Sequence, residues 1–365
     1  MTATVPAQRT PTPLDLKSLR RDVDAALHQF LQGKTAAAAA RNLPDQAART
    51  LEEFLSAGGK RLRPVLCALG WQAATGTPPP KPVVRVAASL EMFHAFRLIH
   101  DDIIDDRAAR RGAPTVHRTL ATRHTAHHPE PLAERLGSSC ALLIGSLALT
   151  WSDEILHTAG LTSSQLLAVL PVLDVMHTEV IYGEYLDVTA TGHPTVDLDR
   201  ALAIVRYKTA KYTCERPLHI GAVLGGARPS LLRELTGYAQ PLGEAFQLRD
   251  DLLGVFGDPK ATGRSRLEDL RAGKHTMLLT LALRDASPAH AAVLRRLIGN
   301  PHLTEADATQ IRNILTVTGA RAHVEGMIHE RRERVLRQLG TAHAIHPEAQ
   351  DALRRLAEAT TRRTT

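Results

Sequence analysis

Apolar residues along this chain recur at three- and four-residue intervals almost throughout, and alternating runs are nearly absent. That period stacks side chains on one face of an α-helix, whereas a strand needs a period of two. Ala, Leu and Arg dominate, and all three favour helix. Turn signals interrupt the pattern at Gly76 to Pro82, Gly112 to Pro114, Thr189 to Pro194, Gly225 to Pro229, Gly257 to Gly263 and Gly299 to Pro301. Between them the spacing predicts about ten to thirteen helices of roughly 12–30 residues. Two are long and amphipathic, Val83 to about Arg107 and Leu161 to about Asp187. Ala121 to Pro131, with His124, His127 and His128, reads as a polar loop. No repeat or low-complexity block divides the chain. The expected fold is all-α, one large helical domain over residues 14–360. Residues 1–13 are Thr/Pro/Ala-rich with no apolar core behind a basic start, so they read as a disordered tail and not a signal peptide.

Composition narrows this picture a little. The 365 residues can bury a large core, and 44% of them are hydrophobic. No apolar run reaches the roughly 18–20 residues that a membrane span requires, so no transmembrane segment is expected. Cys67, Cys140 and Cys214 have neither metal-site spacing nor an even count, and are expected as buried thiols in a reducing cytoplasm. Lys and Arg exceed Asp and Glu by 45 to 38, a net charge of +7. A nucleic-acid binder would carry such a surplus. Aromatics are only 4%, however, which leaves little surface for stacking bases, and no DNA-reading motif is present. No nucleic-acid partner is expected. A cationic surplus equally suits an enzyme whose ligands are diphosphates.

Chemistry concentrates in two acidic clusters. His100-Asp101-Asp102-Ile103-Ile104-Asp105-Asp106 ends a strongly apolar helical stretch. Asp101 and Asp105 are four apart and share a face, with Cβ atoms about 5–6 Å apart. The C-terminal end of a helix is the wrong end for negative charge, and four carboxylates there repel each other unless cations sit among them. Mg²⁺ fits, because it takes oxygen ligands and is usually held by one or two carboxylates plus substrate phosphates. The second cluster, Asp250-Asp251, follows Gln247-Leu248-Arg249 on another apolar helix and precedes a Gly turn. Helix bundles commonly build metal sites from such facing carboxylates.

Basic residues accompany these clusters. Gly58-Gly59-Lys60-Arg61-Leu62-Arg63-Pro64 puts cations after a Gly pair at a helix start, a favourable anion site. Arg110-Arg111-Gly112 follows the first acidic cluster; Lys208-Thr209 and Lys211 come from another helix; Arg264 and Lys274 follow the second cluster. Alone, each run would be a solvated face. Placed beside the acids, they suggest one diphosphate held through metals and a second held in a metal-free basic pocket.

These motifs, in this order and spacing, resemble the trans-isoprenyl diphosphate synthases, or polyprenyl synthetases, the family of farnesyl and geranylgeranyl diphosphate synthases. The likeness runs from about Leu51 to Leu279 and includes Arg-Arg-Gly-x-Pro-Thr-Val-His through His117 and Phe246-Gln247-Leu248-Arg249-Asp250-Asp251. It implies a helical bundle around a central cavity, a homodimer, about three Mg²⁺ ions, and two substrates, isopentenyl diphosphate and an allylic diphosphate. Lys60, Arg63, His94 and Arg111 would bind isopentenyl diphosphate. Asp101, Asp105 and Asp250 would hold metal, with Asp102 and Asp251 in support. Arg110, Lys208, Thr209, Gln247, Lys274 and Arg264 would hold the allylic diphosphate, with Lys208 counted beside the metal ligands as catalytic. Independently of the resemblance, His94 lies seven residues before Asp101, two turns along the same face.

Four positions depart from the family's pattern. Gly254 stands where a third acid is usual, with Asp258 one turn on; Arg264 replaces Lys, Glu184 replaces Gln, and Ser146 replaces Asp. Product length is implied by residues one and two turns before Asp101, here Phe96, Arg97 and Phe93. The aromatic at 96 and the two residues between Asp102 and Asp105 point to a C20 product, with C15 as runner-up. Arg97 shares the Asp101 face, where it would pair with an acid or enter the product tunnel. A class I terpene cyclase shares the fold and the first cluster but needs an Asn/Ser/Glu triad and no isopentenyl site. A non-catalytic partner subunit is the remaining alternative, and intact aspartates argue against it.

Overall fold

The computed structural model describes residues 14–192, 195–259 and 265–361. In chain order the elements are α1 (Leu16–Ala39), α2 (Gln46–Ser56), α3 (Leu62–Thr75), α4 (Lys81–Ile104), β1 (Ala109–Arg110), β2 (Ala113–Pro114), α5 (Val116–His124), α6 (Glu130–His157) and α7 (Ser163–Ala190). They continue as α8 (Leu198–Ile204), a π-helical segment (Val205–Glu215), α9 (Arg216–Leu224), α10 (Pro229–Phe256), α11 (Glu268–Ala272), α12 (Met277–Asp285), α13 (Pro288–Leu297), α14 (Glu305–Val317), α15 (Ala320–Gly340) and α16 (Pro347–Thr361). The all-α expectation holds. The segments are more numerous than the spacing suggested, because α8, the π segment and α9 follow one another without a break and several short helices line the C-terminal half.

The helix starts follow capping chemistry. Asp15, Asp197, Thr276 and Ser287 accept hydrogen bonds from the first backbone N–H groups of α1, α8, α12 and α13. Thr162 with Gln165 and Thr304 with Asp307 form reciprocal capping boxes at α7 and α14. Each such cap contributes about 1 kcal/mol. The two long helices fall close to their expected bounds, but α4 is not half-exposed. It is buried on nearly every side from Val83 to Asp102, which makes it the central helix. The expected loop at 121–131 is shorter, because α5 runs to His124. One feature the period could not reveal is a two-residue hairpin, Ala109↔Pro114 and Arg110↔Ala113. Its turn needs positive φ at both central residues, supplied by Arg111 (55°) and Gly112 (78°).

Among the described residues the buried apolar side chains form two cores. The larger gathers α1, α3, α4, α6, α7 and α9 around Leu66, Met92, Phe93, Met176 and Leu218. The smaller gathers α11 to α14 around Leu270, Leu278, Leu294 and Ile311. Helices α10 and α15 run through both: Leu235 and Leu339 belong to the first, Leu252 and Val324 to the second. Arg249 pins α10 to α15 through two 2.8 Å bonds to Glu325. The thiols of Cys67 and Cys214 are buried and pushed up to about 12 by burial, whereas Cys140 is only partly covered.

Helices α6 and α7 are long and apolar enough to cross a membrane by length and mean hydropathy, 1.3 and 1.4. Here their inner faces are in the bundle: Glu179 on α7 holds Lys211 and Arg216, and Gly145 on α6 lies against His100. Their outer faces leave Leu142, Leu143, Leu167, Tyr182 and Tyr185 exposed.

At Gly183 α7 meets the π segment, and a Cβ there would lie 2.4 Å from the Lys208 backbone nitrogen. Because the obstacle is backbone, Gly183→Ala is expected to cost about 1–3 kcal/mol, read as a lower melting temperature. Burial lowers the pKa of His94, His100, His117, His177, His219 and His275 below 6.5. Such a histidine stays neutral in the folded chain while the unfolded chain takes up its proton near pH 6.5, so stability is lost as pH falls below that value. His177→Phe, which keeps the stacked ring on Phe93, should flatten the decline in unfolding free energy between about pH 6.5 and 5. A slope as steep as the parent's would contradict this.

Candidate active site

The aspartates gather because α4 stops where they begin. Its last residue is Ile104, Asp105 caps it, and Asp106 turns the chain with φ 49°. That turn brings Arg107 and the hairpin back over the acids. Arg110 closes on Asp102 with two bonds, Nε to Oδ2 at 2.8 Å and Nη2 to Oδ1 at 2.7 Å, and lies 3.4 Å from Asp101. Arg107 pairs with Asp105 at 2.7 Å and Asp101 at 3.2 Å. Lys274 reaches Asp105 at 3.0 Å from the loop before α12.

A cavity of about 700 Å³ opens beside these groups. One wall carries Asp101, with Asp250, Asp251 and Gln247 from α10; another carries Lys60, Arg63, His94 and Arg111. Arg110, Lys208, Thr209 and Lys274 also face it. Cations outnumber carboxylates along its surface, which suits polyanionic ligands. Asp102 is 1% exposed and lies behind Arg110, off the wall. Asp105 sits beside it, under Arg107 and Lys274. Arg97 reaches the cavity, while Phe93 and Phe96 pack beneath in the core. Arg264 lies outside the described residues.

The π segment positions the third group. Its i→i+5 bonds present Lys208, Thr209, Tyr212 and Thr213 together on the cavity. Lys208 Nζ lies 2.5 Å from Asp187, 3.0 Å from Glu184 and 3.3 Å from Asp101. Burial disfavours its charge, but those carboxylates outweigh burial and hold its pKa well above the ordinary value. Burial likewise opposes the Asp101 charge, and Lys208, Arg107, Lys274 and Arg97 outweigh it, so the carboxyl stays ionised far below its usual range. Thr209 donates to Gln247 at 2.6 Å, and Gln247 donates to Asp251 at 2.8 Å.

At the basic wall, Arg61 has φ 49° and turns inward, bonding Asp24, Glu91 and the Leu55 carbonyl within 2.8 Å. That fixed arginine leaves Lys60 and Arg63 on either side of it facing the cavity. Arg63 donates to Thr213 at 2.6 Å and lies 4.1 Å over the Tyr212 ring. Burial, with Arg63, Arg110, Arg97 and Arg111 nearby, keeps His94 neutral. Its Nδ1 is 3.3 Å from the Tyr212 hydroxyl.

Six further residues belong to the site: Arg61, expected only as one of the cations of its motif, and Glu91, Arg107, Asp187, Tyr212 and Asp269, which were not expected. All but Asp187 line the main cavity, and Asp187 lines an adjoining one with Lys208. Arg61 and Arg107 sit inside motifs already recognised, so their charge was visible but their orientation was not. Of the departures, Ser146 is exposed on α6 and bonds the Leu142 carbonyl, away from the cavity. Asp258 lies beyond the end of α10 and is not among the residues lining the cavity.

The oxygen donors around the cavity fit a divalent cation in one respect. Among the described residues no three His, Cys, Asp or Glu groups converge into a cage. Asp101 Oδ1, however, is buried with no hydrogen bond, having only the 3.3 Å ion pair with Lys208. A hard oxygen so placed fits an ion that takes its other ligands from water and phosphate.

A family model described as polyprenyl synthetase matches residues 44–315. A geranylfarnesyl diphosphate synthase from Aeropyrum pernix is 31% identical over 313 residues, 85% of this chain and 92% of that protein. A geranylgeranyl diphosphate synthase from Saccharolobus solfataricus is 28% identical over 274 residues, 73% of this chain and 76% of that one. Among solved structures, a geranylgeranyl pyrophosphate synthase from Corynebacterium glutamicum, complexed with isoprenyl diphosphate and magnesium, is 40% identical. It superposes with a TM-score of 0.91 over 96% of this chain and 100% of that one. With most of its length matched by the family model and its fold shared throughout, this chain belongs to the polyprenyl synthetase family.

Proposed function

We infer that this protein is a Mg²⁺-dependent short-chain prenyl diphosphate synthase that condenses isopentenyl diphosphate with an allylic diphosphate. The observation that carries the reading is one cavity lined both by Asp101, Asp250 and Asp251 and by Lys60, Arg63 and Arg111. Two diphosphates need two anion sites, and a terpene cyclase, with one substrate, has no use for Lys60, Arg63 and Arg111.

In this reading Lys60, Arg63, Arg111 and neutral His94 bind and orient isopentenyl diphosphate. Arg110, Lys208, Thr209, Gln247 and Lys274 hold the allylic diphosphate, and Arg264 joins them as a proposal from the resemblance. Asp101, Asp105 and Asp250 hold metal, about three ions by the family's pattern, while Asp102 and Asp251 orient Arg110 and Gln247. The bound ions supply electrostatic neutralisation of the departing diphosphate. Lys208 stabilises the same developing charge as the allylic C–O bond breaks, fixed in place by Asp187 and Glu184. The isopentenyl double bond then attacks allylic C1, and the proton lost from the adduct passes to the released diphosphate. Tyr212, Leu98 and Phe246 on the cavity wall keep water from the cation. C20 is the proposed product, with C15 as runner-up.

Residues 14–360 are proposed as one folding unit, since α10 and α15 carry both cores. A homodimer is proposed, with the exposed Leu142 and Leu143 on α6 and Leu167, Tyr182 and Tyr185 on α7 as the apolar side chains it would cover. The cytoplasm is the proposed compartment.

Purified protein with Mg²⁺, labelled isopentenyl diphosphate and C5, C10 or C15 allylic primers should yield elongated diphosphates, resolved by chromatography. No product from any primer would sink the synthase reading. Asp101→Ala should lower turnover by about 10²–10³-fold or more, on the scale of removing a main electrostatic group. Leu143→Arg with Tyr182→Arg should move the protein from dimer to monomer in size-exclusion chromatography with light scattering, and an unchanged mass would refute the proposed interface.

A further inference from the structure

Lys274, which reaches Asp105 at 3.0 Å, sits in the short loop between α11 and α12. Helix α11 has only five residues, so it cannot fix that loop by itself. What fixes the loop is a meeting of three backbones. Gly192 lies just beyond α7, Gly273 ends α11 and Gly299 lies just beyond α13, and their φ angles are 75°, 68° and 84°. Gly192 donates its N–H to the Gly273 carbonyl at 3.0 Å, and Gly299 donates to the Leu270 carbonyl at 2.8 Å. The three touch without side chains. A Cβ on Gly273 would lie 3.0 Å from the Gly299 Cα and 3.3 Å from the Gly192 Cα. Positive φ is open to glycine and costly to most L residues, so the meeting depends on glycine twice, for conformation and for space.

We propose that Gly192, Gly273 and Gly299 form a clasp of positioning residues that sets Lys274 on Asp105. The proposal rests on the synthase reading, in which Lys274 holds the allylic diphosphate. Asp105 caps α4, which packs in the larger core, whereas α11 and α12 belong to the smaller one. An ion pair across that boundary keeps its length only if the two sides are held in register. Arg271 donates twice to the Leu303 carbonyl, which ties α11 to the smaller core's side. His275 lies 3.4 Å from the Asp197 carbonyl before α8, whose Ala201 is in that same core. Gly192 supplies the link to α7, which packs in the larger core and carries the Glu184 and Asp187 that hold Lys208. Both cations are thus referenced to one helix, Lys208 through carboxylates and Lys274 through a backbone bond.

Gly192→Val tests the clasp, with Gly192→Asn as the conservative variant and Lys274→Met as a second background. Gly192 is exposed and no atom lies within 4 Å of where its Cβ would be, so the change acts through φ and not through a clash. Valine cannot hold the positive φ, whereas asparagine tolerates it. Gly192→Val should raise the KM for the allylic primer about tenfold, the scale of one lost bond to a charged group, and leave the KM for isopentenyl diphosphate within about twofold. Gly192→Asn should return the allylic KM to the parent value. In the Lys274→Met background Gly192→Val should add nothing further, since both changes remove one interaction. Additive losses in that background, or an equal rise in both KM values, would overturn the proposal. If Gly192→Val does not melt cooperatively, Gly192→Ala is assayed in its place with the same expectation. Calorimetric binding of unreactive farnesyl thiolodiphosphate with Mg²⁺ separates this proposal from the synthase reading. No binding by the parent would overturn that reading and the clasp with it. Equal binding by the parent and Gly192→Val would overturn the clasp alone.

Discussion

The Lys208 ammonium, set among Asp101, Glu184 and Asp187, joins the three elements on which the site depends. It sits on the π segment, and its partners sit on α4 and α7. Three carboxylates this close would repel one another and part the helices without a cation between them. A buried cation alone would be equally costly. Each therefore requires the others, and the pairing sets where α7 lies against the π segment, at a distance that Gly183 permits. The same pattern recurs at the basic wall, where Arg61 is saturated by Asp24, Glu91 and a carbonyl so that its neighbours can face ligand.

Strain follows the same logic. Arg61, Asp106 and Arg111 all take positive φ, a conformation that costs of order 1–3 kcal/mol each; Arg61 and Arg111 line the cavity and Asp106 makes the turn that leads to it. Arg61 turns its guanidinium inward, Asp106 returns the chain over α4, and Arg111 makes the hairpin that delivers Arg110 to Asp102. The surrounding ion pairs hold these turns. Stability is spent here on placing charges next to one another, which suits a site that must grip two polyanions and a forming cation in one water-poor space.

Much of this was legible beforehand. The period of the apolar residues gave the helical class and the two long helices, and the acidic and basic motifs gave most of the cavity wall. What escaped were partners rather than motifs. Glu91 and Asp187 look like ordinary helix residues until a cation from a distant segment lands on them. Asp102 and Asp105, equal to Asp101 in the sequence, differ from it in the fold, because the hairpin covers one and Arg107 with Lys274 covers the other. Phe96 and Phe93, expected at the floor, are packed in the core, whereas Arg97, whose long side chain crosses to α7, lines the cavity. The hairpin and the π segment carry no period of their own, since each is set by contacts across the bundle.

By itself the sequence determined what local spacing can encode: which stretches are helices, which faces are apolar, and which charges lie within one turn of each other. Pairings between residues 87 or 107 positions apart, such as Arg97 with Glu184 and Lys208 with Asp101, were decided only by the tertiary structure. Their reason is electrostatic. A buried charge is tolerated only where the fold brings it a counter-charge, and that counter-charge is supplied by the packing of other helices.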